Sequence, residues 1–322
     1  MNDSAAKELV DAVLSAGAVG VVAGCSAFDE SSIATRSRLD DEDLVEKVFE
    51  AGSVTKTFVA MLLVQLVSEG VVSLDDKLSN YFPESPPGIS EVSLLELATH
   101  TSGLPRLPPN LRASSFDRAN PYVRFDEEQL RDALQQTKVG EKTFEYSNYG
   151  YCLLGVVASM AARTPLDVAL RERVLIPLGL SESRLAIGTM GGDKEAIGHD
   201  ASDQETPHWD FTPATAGCGA MRMTIGDLLK YVRHMAEGDD GRIQALIRSR
   251  VEREKGVDVG LAWMLVCDAV WHTGGTGGFG AFAGFNRKQK RAVALLANSS
   301  HGVWRSADPV LLRWLAKDES RS

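Results

Sequence analysis

Cysteine is scarce in this chain and badly spaced for metal or redox chemistry. The four cysteines, Cys25, Cys152, Cys218 and Cys267, form no C-x-x-C pair, so the common zinc and dithiol patterns are excluded. They are expected as buried free thiols in a reducing compartment. Long apolar runs are missing as well. The longest, from Phe58 to Val67, falls well short of the ~20 residues that cross a bilayer. Positive charge is in deficit: 34 Lys and Arg against 44 Asp and Glu give a net charge of −10. That balance argues against nucleic acid as a main partner and favours solubility. The first residues, Met1 to Glu8, have neither a basic stretch nor an apolar core of signal-peptide type. The expectation is a soluble, cytoplasmic protein. No internal repeat and no low-complexity segment is present.

What is present suffices for a large buried core, as one big domain or two intimate ones, in 322 residues. A helix is expected from about Ala5 to Ala16 on the stripe Leu9, Val10, Val13 and Leu14. Strands follow at Val19 to Gly24 and Ser32 to Ser37. The helix from Ser53 to Glu69 is apolar almost all round, so it belongs inside the protein, and Gly70 stops it. Asp75 to Pro87 reads as a loop and Val92 to Leu97 as a short helix. His100 to Gly140, with Pro105, Pro108, Pro109 and Pro121, reads as a long irregular segment, of the kind that often carries function. Further helices are expected at Asn148 to Ala162, Pro165 to Val174 and Ile225 to Met235. Strands are expected at Val257 to Val266, Ala269 to His272, Ala281 to Phe285 and Arg291 to Ala297. Asp308-Pro309 then opens a last helix with Val310, Leu311, Trp314 and Leu315 on its apolar face. Strands at both ends with helices between predict an α/β (α+β) fold: one antiparallel sheet built from both termini, flanked by helices, with a mostly helical insertion. Residues 1–74 and 216–322 would form the sheet region, 75–215 the helical region, and the active site would lie between them.

The candidate chemistry begins at Ser53-Val54-Thr55-Lys56. Positions i and i+3 of a helix are neighbours, so the hydroxyl and the amine share one space, and a serine can become nucleophilic without a histidine. A second copy, Ser4-Ala5-Ala6-Lys7, opens a surface helix where nothing would desolvate its lysine. Ser53 instead opens a buried helix, whose free N–H groups and dipole favour negative charge. The plain alternative for Ser53 is a helix cap. Tyr146-Ser147-Asn148 precedes another buried helix. A lysine beside a tyrosine favours the phenolate, a usable general base. Asn148 could hold the lysine or a substrate amide oxygen, and a buried structural tyrosine is the plain alternative for Tyr146. The third segment, Trp271-His272-Thr273-Gly274-Gly275, sits on a strand and turn where small residues let a substrate approach, and the Gly275 N–H could join that of Ser53 in an oxyanion hole. Gly275 to Gly280 also spells G-x-G-x-x-G, but a strand follows where a nucleotide site needs a helix.

S-x-x-K, then Y-x-N, then H-T-G in that order resembles the serine β-lactamase and penicillin-binding protein superfamily. The closer likeness is to class C β-lactamases and their esterase, D-aminopeptidase and transacylase relatives. The stretches Leu94 to Leu104, Pro177 to Leu180 and Gly217 to Leu228 are similar to further segments of that family, and the likeness runs from about Phe49 to Ser299. The resemblance implies that Ser53 is acylated, that Lys56 holds and tunes Ser53 and Tyr146, and that Tyr146 serves as base and then as acid. It implies that Asn148, His272, Thr273, Gly274 and Gly275 bind substrate, and that neither a metal nor an organic cofactor is needed.

Two features depart from that pattern. His272 stands where β-lactamases and transpeptidases have lysine, and a neutral imidazole offers no fixed charge to a substrate carboxylate. The lack of a signal-peptide pattern is the other. Together they favour a serine hydrolase acting on a small-molecule ester or amide over a β-lactamase or D-amino-acid peptidase acting on a lactam or peptide. An acyltransferase passing the acyl group to an amine or alcohol would use the same residues. A non-catalytic sensor would have no reason to keep Ser53, Lys56 and Tyr146. His100 is expected to be structural, and His199 and His208, with Asp200 and Asp210, to lie in a solvated loop.

Overall fold

Strands from the two ends of the chain meet in one antiparallel sheet. The computed structural model describes residues 2–28, 30–39, 43–112, 117–188, 192, 194–248, 250–254, 256–299 and 312–315. Its eight-stranded sheet runs in the order Glu30–Ser37, Gly20–Ala27, Arg291–Ala297, Gly280–Asn286, Ala269–Gly275, Met264–Val266, Val257–Val259, Val251–Glu254. Gly20–Ala27 pairs directly with Arg291–Ala297, with Val22 opposite Leu296 and Ala23 opposite Leu295. These central strands are apolar on both faces because both faces are covered. Val21, Ala23, Cys25, Val293 and Leu295 pack with Leu9, Val10 and Val13 of the helix Asn2–Ser15. Val22, Ala294 and Leu296 join Leu228 and Val232 of the helix Ile225–Glu237 in the main core.

The helix Thr55–Ser68 lies within that core, with its residues from Thr55 to Val64 all buried. Asn148–Ala162 packs nearby through Leu153, Leu154 and Val157. Among the described residues, no single helix is long and apolar enough to span a membrane. A three-stranded sheet of Phe49–Glu50, Met221–Met223 and Arg184–Leu185 ties the segment before Ser53 to the chain around residue 220.

Several expectations change. Val257 to Val266 is two strands, Val257–Val259 and Met264–Val266, paired with each other. The chain reverses between them through Ala262 at φ +67°, and Leu261 and Trp263 enter the core, so their apolarity reflects burial in a turn. The segment 100–140 contains a helix, Glu127–Gln136, started by a capping box between Asp126 and Gln129. Its apolar stripe is only Leu130, Ala133 and Leu134, too narrow to stand out from a polar stretch. The short helix is Leu94–Ala98, capped by Ser93 and Glu96. Helical structure continues past Val174 to Leu178 through a π turn at Arg171–Leu175, just before Pro177, whose missing N–H cannot continue the normal ladder. The helix Gly241–Ile247 and the edge strand Val251–Glu254 were not anticipated.

Of the expected last helix, Leu312 to Leu315 are helical and Leu315 is buried; Asp308 to Leu311 lie outside the described residues. All four cysteines are free, but Cys267 is exposed. It occupies a left-handed turn position, φ +52°, between Met264–Val266 and Ala269–Gly275, where the side chain has no core to enter.

Candidate active site

Ser53 sits in a tight turn pressed against the sheet. The strand Phe49–Glu50 pairs with Met221–Met223, and Ala51 N donates to Met221 O at 2.8 Å. Residues Gly52–Val54 form a 3₁₀ turn before the helix begins at Thr55. Ala51 occupies the cap position without a side-chain bond, so Ser53 does not act as a helix cap. Two glycines allow the close approach. Gly52 has φ +49°, and a Cβ on it would come within 2.5 Å of Gly275 N. A Cβ on Gly274 would collide with Ala51 O and stand 2.9 Å from Val54 N. The backbones of 51–54 and 274–275 therefore lie side by side, which brings the neighbourhoods of the Ser53 and Gly275 N–H groups together. Gly274 is buried and packed against the backbone of Ala51 and Val54, while Gly275 lines the cavity.

Lys56 is fully buried. Its Nζ donates to Ser53 Oγ at 3.0 Å and to Cys218 O at 2.7 Å. It also stands 5.0 Å from the centroid of the Tyr146 ring and 5.6 Å from that of Tyr151. Tyr146 is held from behind by His100, whose ring centroid is 4.4 Å away. His100 is fixed in turn: its Nδ1 accepts Ser147 N at 3.1 Å and its carbonyl accepts Glu145 N at 2.8 Å. Ser147 caps the helix Asn148–Ala162 by accepting Gly150 N, and its hydroxyl donates to Pro105 O. Burial, with Lys56, His272 and Arg106 nearby, holds His100 well below the usual imidazole range. It is a neutral structural ring that positions Tyr146, as its sequence context suggested.

Asn148 lies on the cavity wall. Its Nδ2 donates to Tyr122 Oη at 3.1 Å, and its buried Oδ1 has no partner. Its recorded bond therefore goes to Tyr122, and Lys56 is held by the Cys218 carbonyl. His272 is buried, with Nδ1 donating to Thr273 O at 2.5 Å. That bond places the proton on Nδ1 and leaves Nε2 as a lone-pair acceptor, buried and unpartnered. Burial above all, and then the Lys56 charge, lowers the His272 pKa to about 3. His272 and Thr273 line the same cavity as Ser53, Tyr146, Asn148 and Gly275, a space of about 480 Å³.

Residue-type reasoning missed the rest of the wall. Arg106, Phe144, Trp209, Arg253, Met264 and Trp271 complete it. Trp209 is placed by its N–H, which donates to Glu50 Oε1 at 2.9 Å, and His208 Nδ1 donates to the same oxygen at 2.8 Å. His199 is buried and bonds Asn298 O through both its N–H and its ring. The two histidines are thus structural anchors and not a solvated loop, because each finds a buried acceptor. Among the described residues no group of three His, Cys, Asp or Glu is placed to hold a metal.

The chain as a whole is similar to known proteins. The model of the family described as Beta-lactamase matches residues 13–316. Over 264 residues the chain is 28% identical to the D-alanyl-D-alanine-carboxypeptidase/endopeptidase AmpH of Escherichia coli strain K12, covering 73% of this chain and 66% of that protein. It is 32% identical over 148 residues to Beta-lactamase-like protein 2 of Dictyostelium discoideum, covering 43% of this chain and 26% of the other. The chain therefore spans between a quarter and two thirds of these curated relatives. A class C β-lactamase from Rhodobacter sphaeroides superposes with a TM-score of 0.82 at 20% identity, over 98% of this chain and 100% of that one. A likeness at that identity is one of fold.

Proposed function

The chain belongs to the beta-lactamase family, and on that footing we propose that it is a serine hydrolase opening an ester or amide of a small molecule through an acyl-Ser53 intermediate. The observation that carries this reading is the 3.0 Å bond from the buried Lys56 Nζ to Ser53 Oγ, on the wall of a cavity that also holds Tyr146 and Gly275. Ser53 Oγ attacks the substrate carbonyl carbon. The negative charge on the carbonyl oxygen is met by the N–H groups of Ser53 and Gly275, donors held in place by the backbone before substrate arrives. The serine proton leaves through the Lys56–Tyr146 pair, and Tyr146 returns a proton to the departing alcohol or amine. Water then cleaves the acyl-serine.

The third motif supplies no cation. His272 is neutral above a pH of about 3 and offers an acceptor into the wall, so a carboxylate placed as in a β-lactam gains no ion pair there. β-Lactam turnover is accordingly expected to be slow. The test is steady-state hydrolysis of a panel of aryl esters, anilides and nitrocefin, each with and without an added amine or alcohol. Ester or anilide cleavage well above nitrocefin cleavage supports the reading, and the added acceptors read whether water is the preferred partner. Efficient nitrocefin hydrolysis with inert esters and anilides contradicts it.

A further inference from the structure

The cleft around Ser53 does not end at Asn148. Arg106, Asn148 and Trp209 are shared with a second cavity of about 750 Å³, built on the loop that follows residue 104. Arg106 and Arg253 line the first cavity; Arg106, Arg112 and Arg118 line the second. Among the described lining residues of both cavities there is no aspartate or glutamate. This is a local reversal of sign in a chain of net charge −10. Arg106 is braced on Tyr146, with its guanidinium carbon 5.1 Å from the ring centroid, and Arg253 on Phe144 at 5.4 Å. Between the arginines the second cavity is walled by Leu107, Leu111 and Tyr122. The opposite side of the site, at His272, carries no charge at neutral pH. The second cavity therefore gathers three arginines, whereas the third motif itself contributes no cation.

We infer that the second cavity binds an anionic arm of the substrate, a carboxylate or phosphoryl group on a short apolar linker, so that the site selects acidic esters or amides; this rests on the hydrolase reading of Ser53. Guanidinium groups match both anions with paired donors. A cleft lined by one sign of charge also concentrates oppositely charged ligands. The apolar walls between the arginines suit a linker of a few methylenes or a ring.

The test is a matched set of p-nitrophenyl esters: adipate with its free carboxylate, methyl adipate, 5-phosphonopentanoate and 6-(trimethylammonio)hexanoate. A second pair puts the anion on the leaving side, using the acetate esters of 4-hydroxyphenylacetate and of its methyl ester. The inference expects kcat/KM for an anionic member to exceed its neutral match by about tenfold or more in at least one series, the scale of one charge-assisted hydrogen bond, with the cationic ester slowest. The faster of carboxylate and phosphonate identifies the anion. The advantage falls several-fold between about 20 and 500 mM NaCl as screening sets in. In the Arg112→Gln/Arg118→Gln double variant the anionic-to-neutral ratio drops by about fivefold or more. Equal Ser53-dependent rates for anionic and neutral esters overturn the inference and leave the hydrolase reading standing. Ser53-independent or absent hydrolysis of every member overturns the hydrolase reading, and this inference with it.

Discussion

Lys56 Nζ donates to the carbonyl of Cys218 at 2.7 Å, closer than its 3.0 Å bond to Ser53 Oγ. The backbone near residue 218 thus aims the lysine at the nucleophile. Among the described residues no carboxylate pairs with Lys56, although it is completely buried. A basic group sealed from water in that way costs stability.

Replacing Lys56 with methionine keeps most of its volume and removes that cost. Apolar replacement of buried ionic groups is commonly neutral or stabilising by about 1–4 kcal/mol. Lys56→Met should unfold at equal or higher denaturant concentration than the wild type while losing nearly all activity. Urea titration and ester hydrolysis on the same samples check both halves.

Tyr146→Phe keeps the ring under Lys56, Arg106 and His100 and removes only the hydroxyl. If that hydroxyl handles the serine proton, the acylation rate falls by about 10²–10⁴-fold, with stability little changed. Single-turnover kinetics read the acylation step directly, and an unchanged rate would assign the proton to Lys56 alone.

Gly274→Ala tests the backbone contact behind the nucleophile. The added methyl meets Ala51 O and Val54 N, neither of which is the end of a flexible side chain. The turn at Ser53 must shift, and misplacement by about 1 Å can cost about 10²-fold. A drop of that order in kcat/KM, together with a lower melting temperature, is expected. Full activity in this variant would contradict the placement of 274–275 against 51–54.

His272 and His100 link stability to pH. In the unfolded chain each imidazole gains a proton as pH falls below about 6.5. In the fold His272 stays neutral down to about 3, and His100 is depressed in the same direction. Between those limits the unfolded state binds more protons, so stability is complete above pH 6.5 and falls as pH decreases. The slope is about 1.4 kcal/mol per pH unit for each histidine. Denaturation midpoints at pH 7.5, 6 and 5 should show this fall, and His272→Gln should flatten it whatever its effect at pH 7.5. The pH profile of kcat/KM should show no limb near 6.5 that His272→Gln removes.

Much of the site was legible because its signals are local. Ser53 and Lys56 are one helical turn apart, and Tyr146 and Asn148 stand at the start of a helix whose apolar pattern is unmistakable. The central strands were legible for a related reason: Arg291–Ala297 is buried on both faces and reads as an unbroken apolar stretch. The Cys218 carbonyl was not legible, since a backbone acceptor leaves no mark in residue type. The packing of Gly274 against Ala51 was not legible either, since it depends on a register formed across more than 200 residues. Arg106 and Arg253 were missed because arginine is ordinary on a surface. The crowding of Arg106, Arg112 and Arg118 in one proline-rich segment was the signal that could have drawn attention there. Val257 to Val266 misled because burial of a turn and burial of a strand look alike in an apolar run.

The central claim is that Ser53 becomes acylated, and intact mass spectrometry of the enzyme mixed with an aryl ester or an active-site phosphonate tests it most directly. The account predicts a single stoichiometric adduct that maps to the peptide carrying Ser53, grows in more slowly in Tyr146→Phe, and is absent from Ser53→Ala. An adduct of the same stoichiometry persisting in Ser53→Ala would contradict it.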